Sequence, residues 1–229
     1  MCAERGLCAL VAALLLGLGG CALPQRVDAP QATAAGAAES RRVYTDLIRS
    51  MLEQRQYYAA LAHVQERQRE GGDRDELRYL EAEARRGLGQ FEAADALYKG
   101  LLRSPQAARA YHGLGLLHAG RDLNAAAFYL REAAQRAPTD ADVRNDLGYA
   151  LLRAGRHAEA MTELATAVEL APDSEKARNN LILLLLVRGD EAAVGRVVRD
   201  AAVAPETVSR LRQQARMLSA PRTVQGGSP

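Results

Sequence analysis

The side chains able to do chemistry are few and scattered. The four histidines, His63, His112, His118 and His157, form no HExxH motif, and none pairs with a cysteine. His112 and His118 stand six residues apart, which places them on different sides of a helix, so no shared metal is expected. No GxSxG is present, and the glycine-rich pieces GLGQ (87–90) and GLGL (113–116) lack the rest of a phosphate loop. Carboxylate pairs such as Asp140 and Asp142 read as charges favoured by the dipole at a helix N-terminus. The expectation is a protein that is not an enzyme and carries no metal or cofactor. The exception is one thiol. The cysteines are Cys2, Cys8 and Cys21, and an unpaired thiol in a secreted chain needs an explanation.

That explanation lies in the residues before Cys21. Leu7 to Leu18 form an apolar run of 12 residues, too short for the ~20 that span a bilayer but suited to the core of a secretory signal. The basic end of this signal is poor, because Arg5 is offset by Glu4. The run ends in Leu18-Gly19-Gly20-Cys21, which resembles a bacterial lipobox. In that family the signal is cut before the cysteine and the thiol is acylated. Cys2 and Cys8 would then leave with the signal, and Cys21 would carry a lipid anchor to the membrane. A plain signal peptide with an incidental cysteine is the other reading. Ala22 follows Cys21; in Gram-negative lipoproteins that resemble this chain, Asp there retains the protein in the inner membrane. The resemblance therefore implies the outer membrane, on its periplasmic face.

Behind the cysteine, residues 22–40 are rich in Ala, Pro and Gln without periodic apolar positions, and read as a flexible tether. The stretch from Pro221, PRTVQGGSP, reads as an equally disordered tail. The expected organisation is a signal over 1–20, a tether over 21–40, a repeat region over 41–205, a capping helix over 206–219 and a tail over 220–229. Composition favours helices in between. There is no Trp and there are only two Phe, whereas Ala, Leu, Arg, Glu and Gln dominate. A net charge of +2 lacks the basic excess of a nucleic-acid binder, so no nucleic-acid partner is expected.

The repeat region carries the argument. Residues 141–174 align with 175–208 at an offset of 34, pairing Asn145 with Asn179, Leu147 with Leu181, Leu151 with Leu185, Gly155 with Gly189 and Leu164 with Val198. Weaker copies occupy about 41–73, 75–106 and 108–140, with Ala60 to Ala94 and Pro138 to Pro172 again 34 apart. The first half of the third copy is one residue out of register with its second half, which a shortened turn near Gly120 would explain. Small residues (Gly148, Ala160, Ala167) fall where two helices would cross, and Leu147, Leu151 and Leu164 fill the space beside them. Gly155 suits a left-handed helix end, Pro172 a helix stop, and Asp140 and Ser174 the N-cap. After Pro205, the stripe Val208, Leu211, Ala215 and Leu218 predicts a last helix whose apolar side covers the open end of the stack. Its outward Arg210, Arg212 and Arg216 are a solvated face or a site for anionic lipid.

A period of 34 built from two helices resembles the tetratricopeptide repeat. The resemblance implies an all-α fold: a tetratricopeptide repeat superhelix of about five helix pairs plus a C-terminal capping helix. It also implies that the first helix of each pair lines a concave, protein-binding groove. In the fourth and fifth repeats the inward positions are Asp142, Asn145, Tyr149, Leu152 and Arg153, then Lys176, Asn179, Leu183, Leu186 and Val187. The asparagines could bond a peptide backbone or only brace the neighbouring helix. Leu183, Leu186 and Val187 would give that end an apolar anchor site. A basic clamp for C-terminal carboxylates is not evident, since Asp142 and Asp146 stand where it would need Lys or Asn.

Signal, lipobox, Ala/Pro tether and about five repeats ending in an NNLxLLL-like helix (Asn179 to Leu186) together resemble the TadD family, lipoproteins of the Flp (tight adherence) pilus machinery. The resemblance implies secretin or pilus assembly components as partners. Two other classes carry the same features: a type IV pilus pilotin-like lipoprotein that promotes secretin assembly, and an adaptor that docks cell-wall hydrolases.

Overall fold

Segments rich in Ala, Leu, Arg and Glu, interrupted at short intervals by Gly, Asp or Pro, fold as helices throughout. The computed structural model describes residues 34–71 and 74–220. The expected signal, Cys21 and the tail from Pro221 lie outside the described residues. By backbone contacts the chain divides into Met1–Ser40 and Arg41–Pro229. Of the first unit, the described residues are the opening turns of a helix.

Eleven helices and no strand occur among the described residues. Ten of them form five pairs: α1 (Ala34–Glu53) with α2 (Tyr57–Arg69), α3 (Arg74–Gly87) with α4 (Phe91–Lys99), α5 (Ala107–His118) with α6 (Leu123–Arg136), α7 (Ala141–Arg153) with α8 (His157–Leu170), and α9 (Glu175–Val187) with α10 (Glu191–Asp200). The last is α11, Pro205–Ser219. The all-α, five-pair architecture read from the 34-residue period is the one present. The expected tether differs at its end, because α1 begins at Ala34. The stretch Ala34-Ala35-Gly36-Ala37-Ala38-Glu39 is dominated by alanine, the best helix former, and joins the helix instead of ending before it.

Four of the first helices in a pair end alike. The N–H of residues 55, 89, 155 and 189 bonds back three residues, and the following N–H bonds back five, as Gly155 to Leu152 and Arg156 to Leu151 do at 3.0 and 2.9 Å. This closure requires a left-handed residue, supplied by Gly89, Gly155 and Gly189 and, in the first pair, by Arg55 at φ 60°. The third pair departs. Its connection (119–122) has four residues where the others have three, and α5 stops three residues after Gly115 where α7 runs on for five after Gly148. The one-residue slip thus comes out of the end of α5, while the turn itself is lengthened rather than shortened. Gly120 keeps a negative φ, and the N–H groups of Arg121 and Asp122 both bond His118 O at 2.9 Å. Asp122 then caps α6, accepting from the N–H groups of Asn124 and Ala125. Asp140, Ser174 and Asp190 cap α7, α9 and α10 in the same way.

Inside each pair the crossing is tight. Ala160, Leu164 and Ala167 are all fully buried, and a Cβ on Gly148 would lie 2.6 Å from Leu164 Cγ. The core is not one mass but a succession. One cluster joins α1 to α3 through Ile48, Val64 and Leu80; another centres on Tyr98, Leu101 and Leu114; the largest runs from Ala126 to Ala215. Among the described residues no helix is long and apolar enough to cross a membrane.

Candidate functional site

The first helix of each pair projects a row of side chains toward the same rows of its neighbours, because equivalent residues recur every 34 positions. On α7, Asp142 is exposed, Tyr149 and Arg153 are half-buried, and Asn145 and Leu152 are only 1 % and 3 % exposed. On α9, Lys176 is exposed, Asn179, Leu186 and Val187 are half-buried, and Leu183 is completely buried.

The expected apolar anchor site at the end of α9 is therefore not open. Leu183 belongs to the core, with Leu186 and Val187 packed against it. The physical reason is α11. It packs on α9 and buries Leu211 and Ala215 in the same cluster, with Leu218 half-buried beside them. From there Gln214 reaches the hydroxyl of Tyr149 on α7 at 3.4 Å, and Arg212 pairs with Glu191 at 2.7 Å. The last helix caps the stack as expected, and does so by packing on α9. What stays open beside it is a cleft of about 600 Å³ whose walls include Leu152, Arg153, His157, Val187, Met217 and Leu218.

The asparagines separate. Asn180 Nδ2 donates to Asn145 Oδ1 at 2.8 Å, and Asn145 Nδ2 donates to Asp146 Oδ1 at 3.0 Å. Asn145 thus braces α7 against α9, one of its two expected roles. Asn179 Oδ1 is buried without a hydrogen-bond partner among the described residues.

Polar ties continue along the row. Asp146 is held by His112 of α5 and Lys176 of α9, each at 2.8 Å. Burial raises the Asp146 carboxyl, but the bonds and charges of His112 and Lys176 outweigh it and hold its pKa below the ordinary carboxylate range. Arg153 donates to Ala119 O at 2.8 Å. At the other end Glu76 of α3 takes Arg49 of α1 at 2.7 Å and Arg109 of α5 at 2.8 Å, and the Arg109 guanidinium lies 3.9 Å from the centre of the Tyr79 ring. Burial, with Glu83 nearby, drives the Tyr79 phenol well above its ordinary pKa. Such a face presents hydrogen-bonding groups on successive first helices.

His112, Asp146, Asn180, Glu76 and Arg109 are not among the groove residues that the sequence singles out. A signal for one pair exists. His112 and Asp146 lie about one period apart on adjacent first helices and meet at 2.8 Å, although the slip in the third repeat makes Asn145, one place earlier, the counterpart of His112.

With this geometry in view, comparison with known proteins is direct. The tetratricopeptide repeat family model matches residues 116–183. The TPR repeat-containing protein PA4299 of Pseudomonas aeruginosa is 36 % identical over 195 residues, spanning 84 % of this chain and 75 % of that one. The chain belongs to the tetratricopeptide repeat family. Solved structures share the tetratricopeptide fold at lower identity. The pilF protein of Pseudomonas aeruginosa overlays with a TM-score of 0.65 at 18 % identity, over 80 % of this chain and 89 % of that one. TTC0263, a thermophilic tetratricopeptide protein of Thermus thermophilus, overlays at 0.60 and 21 % identity, over 78 % and 98 %. Tetratricopeptide repeats are scaffolds for protein–protein interaction, and the fold is typical of proteins that bind rather than catalyse.

Proposed function

We propose that this tetratricopeptide repeat protein is an outer-membrane lipoprotein, acylated at Cys21 and facing the periplasm, that binds components of the Flp (tight adherence) pilus machinery during its assembly. The observation that carries the reading is one combination: a 12-residue apolar run closing in Leu-Gly-Gly-Cys, directly ahead of five helix pairs. The anchor holds the repeats at a membrane, and the repeats supply a binding face without chemistry of their own. Partners are proteins such as the secretin. The candidate contacts are the inward residues that remain accessible: Asp142, Tyr149, Arg153, Lys176, Asn179 and the cleft beside Val187.

A type IV pilus pilotin-like role in secretin assembly is a second reading, supported by the fold shared with pilF. Affinity purification from detergent-solubilised membranes tests both. A secretin or Flp pilus component co-purifying with the wild type, and lost with Cys21→Ser, is the expected result. Recovery of a cell-wall hydrolase instead, or normal maturation and outer-membrane retention of Cys21→Ser, would overturn it.

A further inference from the structure

The two ends of the repeat stack are finished differently. At one end α11 packs on α9 and covers it. At the other, α1 has no pair before it, and two large apolar side chains one turn apart stand open, Val43 at 60 % and Leu47 at 45 % exposure. Their counterparts in later first helices are interior. Leu77 of α3 and Ala110 and Leu114 of α5 are buried, and Val143 and Leu147 of α7 are 3 % and 1 % exposed. This side of α1 is therefore built from the residues that the stack buries elsewhere. The sequence between Cys21 and the start of α1 offers no second helix to cover it. Residues 22–33 hold Pro24 and Pro30, with only Leu23 and Val27 as large apolar residues.

We propose that this face is covered by the same face of a second copy, α1 against α1 about a two-fold axis. The charges beside the apolar pair are self-complementary. Arg42 and Asp46 are both exposed and stand one turn apart on the same side of the helix, as Val43 and Leu47 do. An antiparallel crossing near Thr45 sets Val43 of each copy beside Leu47 of the other, and Arg42 beside Asp46. Each contact is then made twice, as an isologous interface requires. A parallel crossing would set like charges against each other. Asp46 bonds Arg49 of its own helix at 2.6 Å, yet its side chain stays 58 % exposed and within reach of a second cation. The contact is small, so the dimer is a weak one that forms where copies are concentrated. It does not depend on which machinery the protein serves.

Sedimentation of the full chain in detergent over a range of concentrations tests this. The wild type should pass from monomer to dimer and no further, because a two-fold interface closes on itself. Val43→Asp changes a site that is open to solvent in the monomer and should keep the fold. It should weaken the dimer at least ~10-fold, since the lost apolar contact occurs twice. Arg42→Glu and Asp46→Lys should each weaken the dimer alone, as like charges then face each other. An equal mixture of those two variants should associate like the wild type, because every pair is again opposite in charge. A chain that is monomeric throughout, growth beyond a dimer, a Val43→Asp dimer as tight as the wild type, or no rescue in the mixture would overturn the proposal.

Discussion

Asn180 on α9 donates a 2.8 Å hydrogen bond to the buried Oδ1 of Asn145 on α7. Removing the acceptor leaves the half-buried Asn180 amide without its partner, and a fully buried unsatisfied group costs about 1–3 kcal/mol, the upper bound here. Asn145→Ala is therefore expected to lower stability by up to that amount in a denaturant titration. Asn179→Ala removes an oxygen that has no partner among the described residues and is expected to cost less. If the two variants melt alike, Asn145 does not brace the stack.

Gly148 meets Leu164 with no room for a methyl group, since a Cβ would lie 2.6 Å from Leu164 Cγ. The helix preference for alanine would otherwise favour Gly148→Ala by roughly 1 kcal/mol. Overpacking costs about 1–3 kcal/mol and is expected to prevail. Leu164→Ala opens a cavity instead and should cost ~2–5 kcal/mol. Urea unfolding of both variants checks the crossing from each side.

Asp146 makes the fold sensitive to acid. Its folded pKa is depressed, so the stability it contributes is present above the unfolded value of about 3.9 and is lost as pH falls through the folded value. Melting temperature should fall below about pH 4 more steeply for the wild type than for Asp146→Asn. Parallel profiles would show that the ties to His112 and Lys176 contribute nothing.

Arg55 occupies the left-handed position that glycine fills in three other pairs. A side chain there costs roughly 1–2 kcal/mol, partly offset by the greater freedom of unfolded glycine. Arg55→Gly should raise stability by about 1 kcal/mol, read as a shift in the denaturant midpoint with an unchanged slope.

Much of this is legible in the residues. Repeat spacing locates the five pairs because each position has one mechanical job: Gly148 and Ala160 at the crossing, Gly155 at the helix end, Asp140 and Ser174 at the caps. Local pattern does not say which way α11 turns after Pro205. An apolar stripe states that a helix needs a partner and not which face supplies it. Leu183 escapes the sequence for the same reason, since an inward position in the last repeat is either groove or core depending on what folds over it. The slip in the third repeat is visible as a register fault, yet its construction depends on backbone angles at Gly120 that the residue type alone leaves free. Cross-repeat ties such as Glu76 to Arg109 depend on side-chain reach between helices and leave no local trace.

Three of those ties span about one period: Arg109 to Glu76 across 33 residues, Arg153 to Ala119 across 34, Asn180 to Asn145 across 35. Each pair holds only its neighbours, so a load applied to the two ends passes through the pairs in series. The weakest junction yields first, releasing about 34 residues, or roughly 110 Å of extended chain, while the rest remain folded. A molecule linked this way behaves as a string of small shock absorbers rather than as a single brittle link.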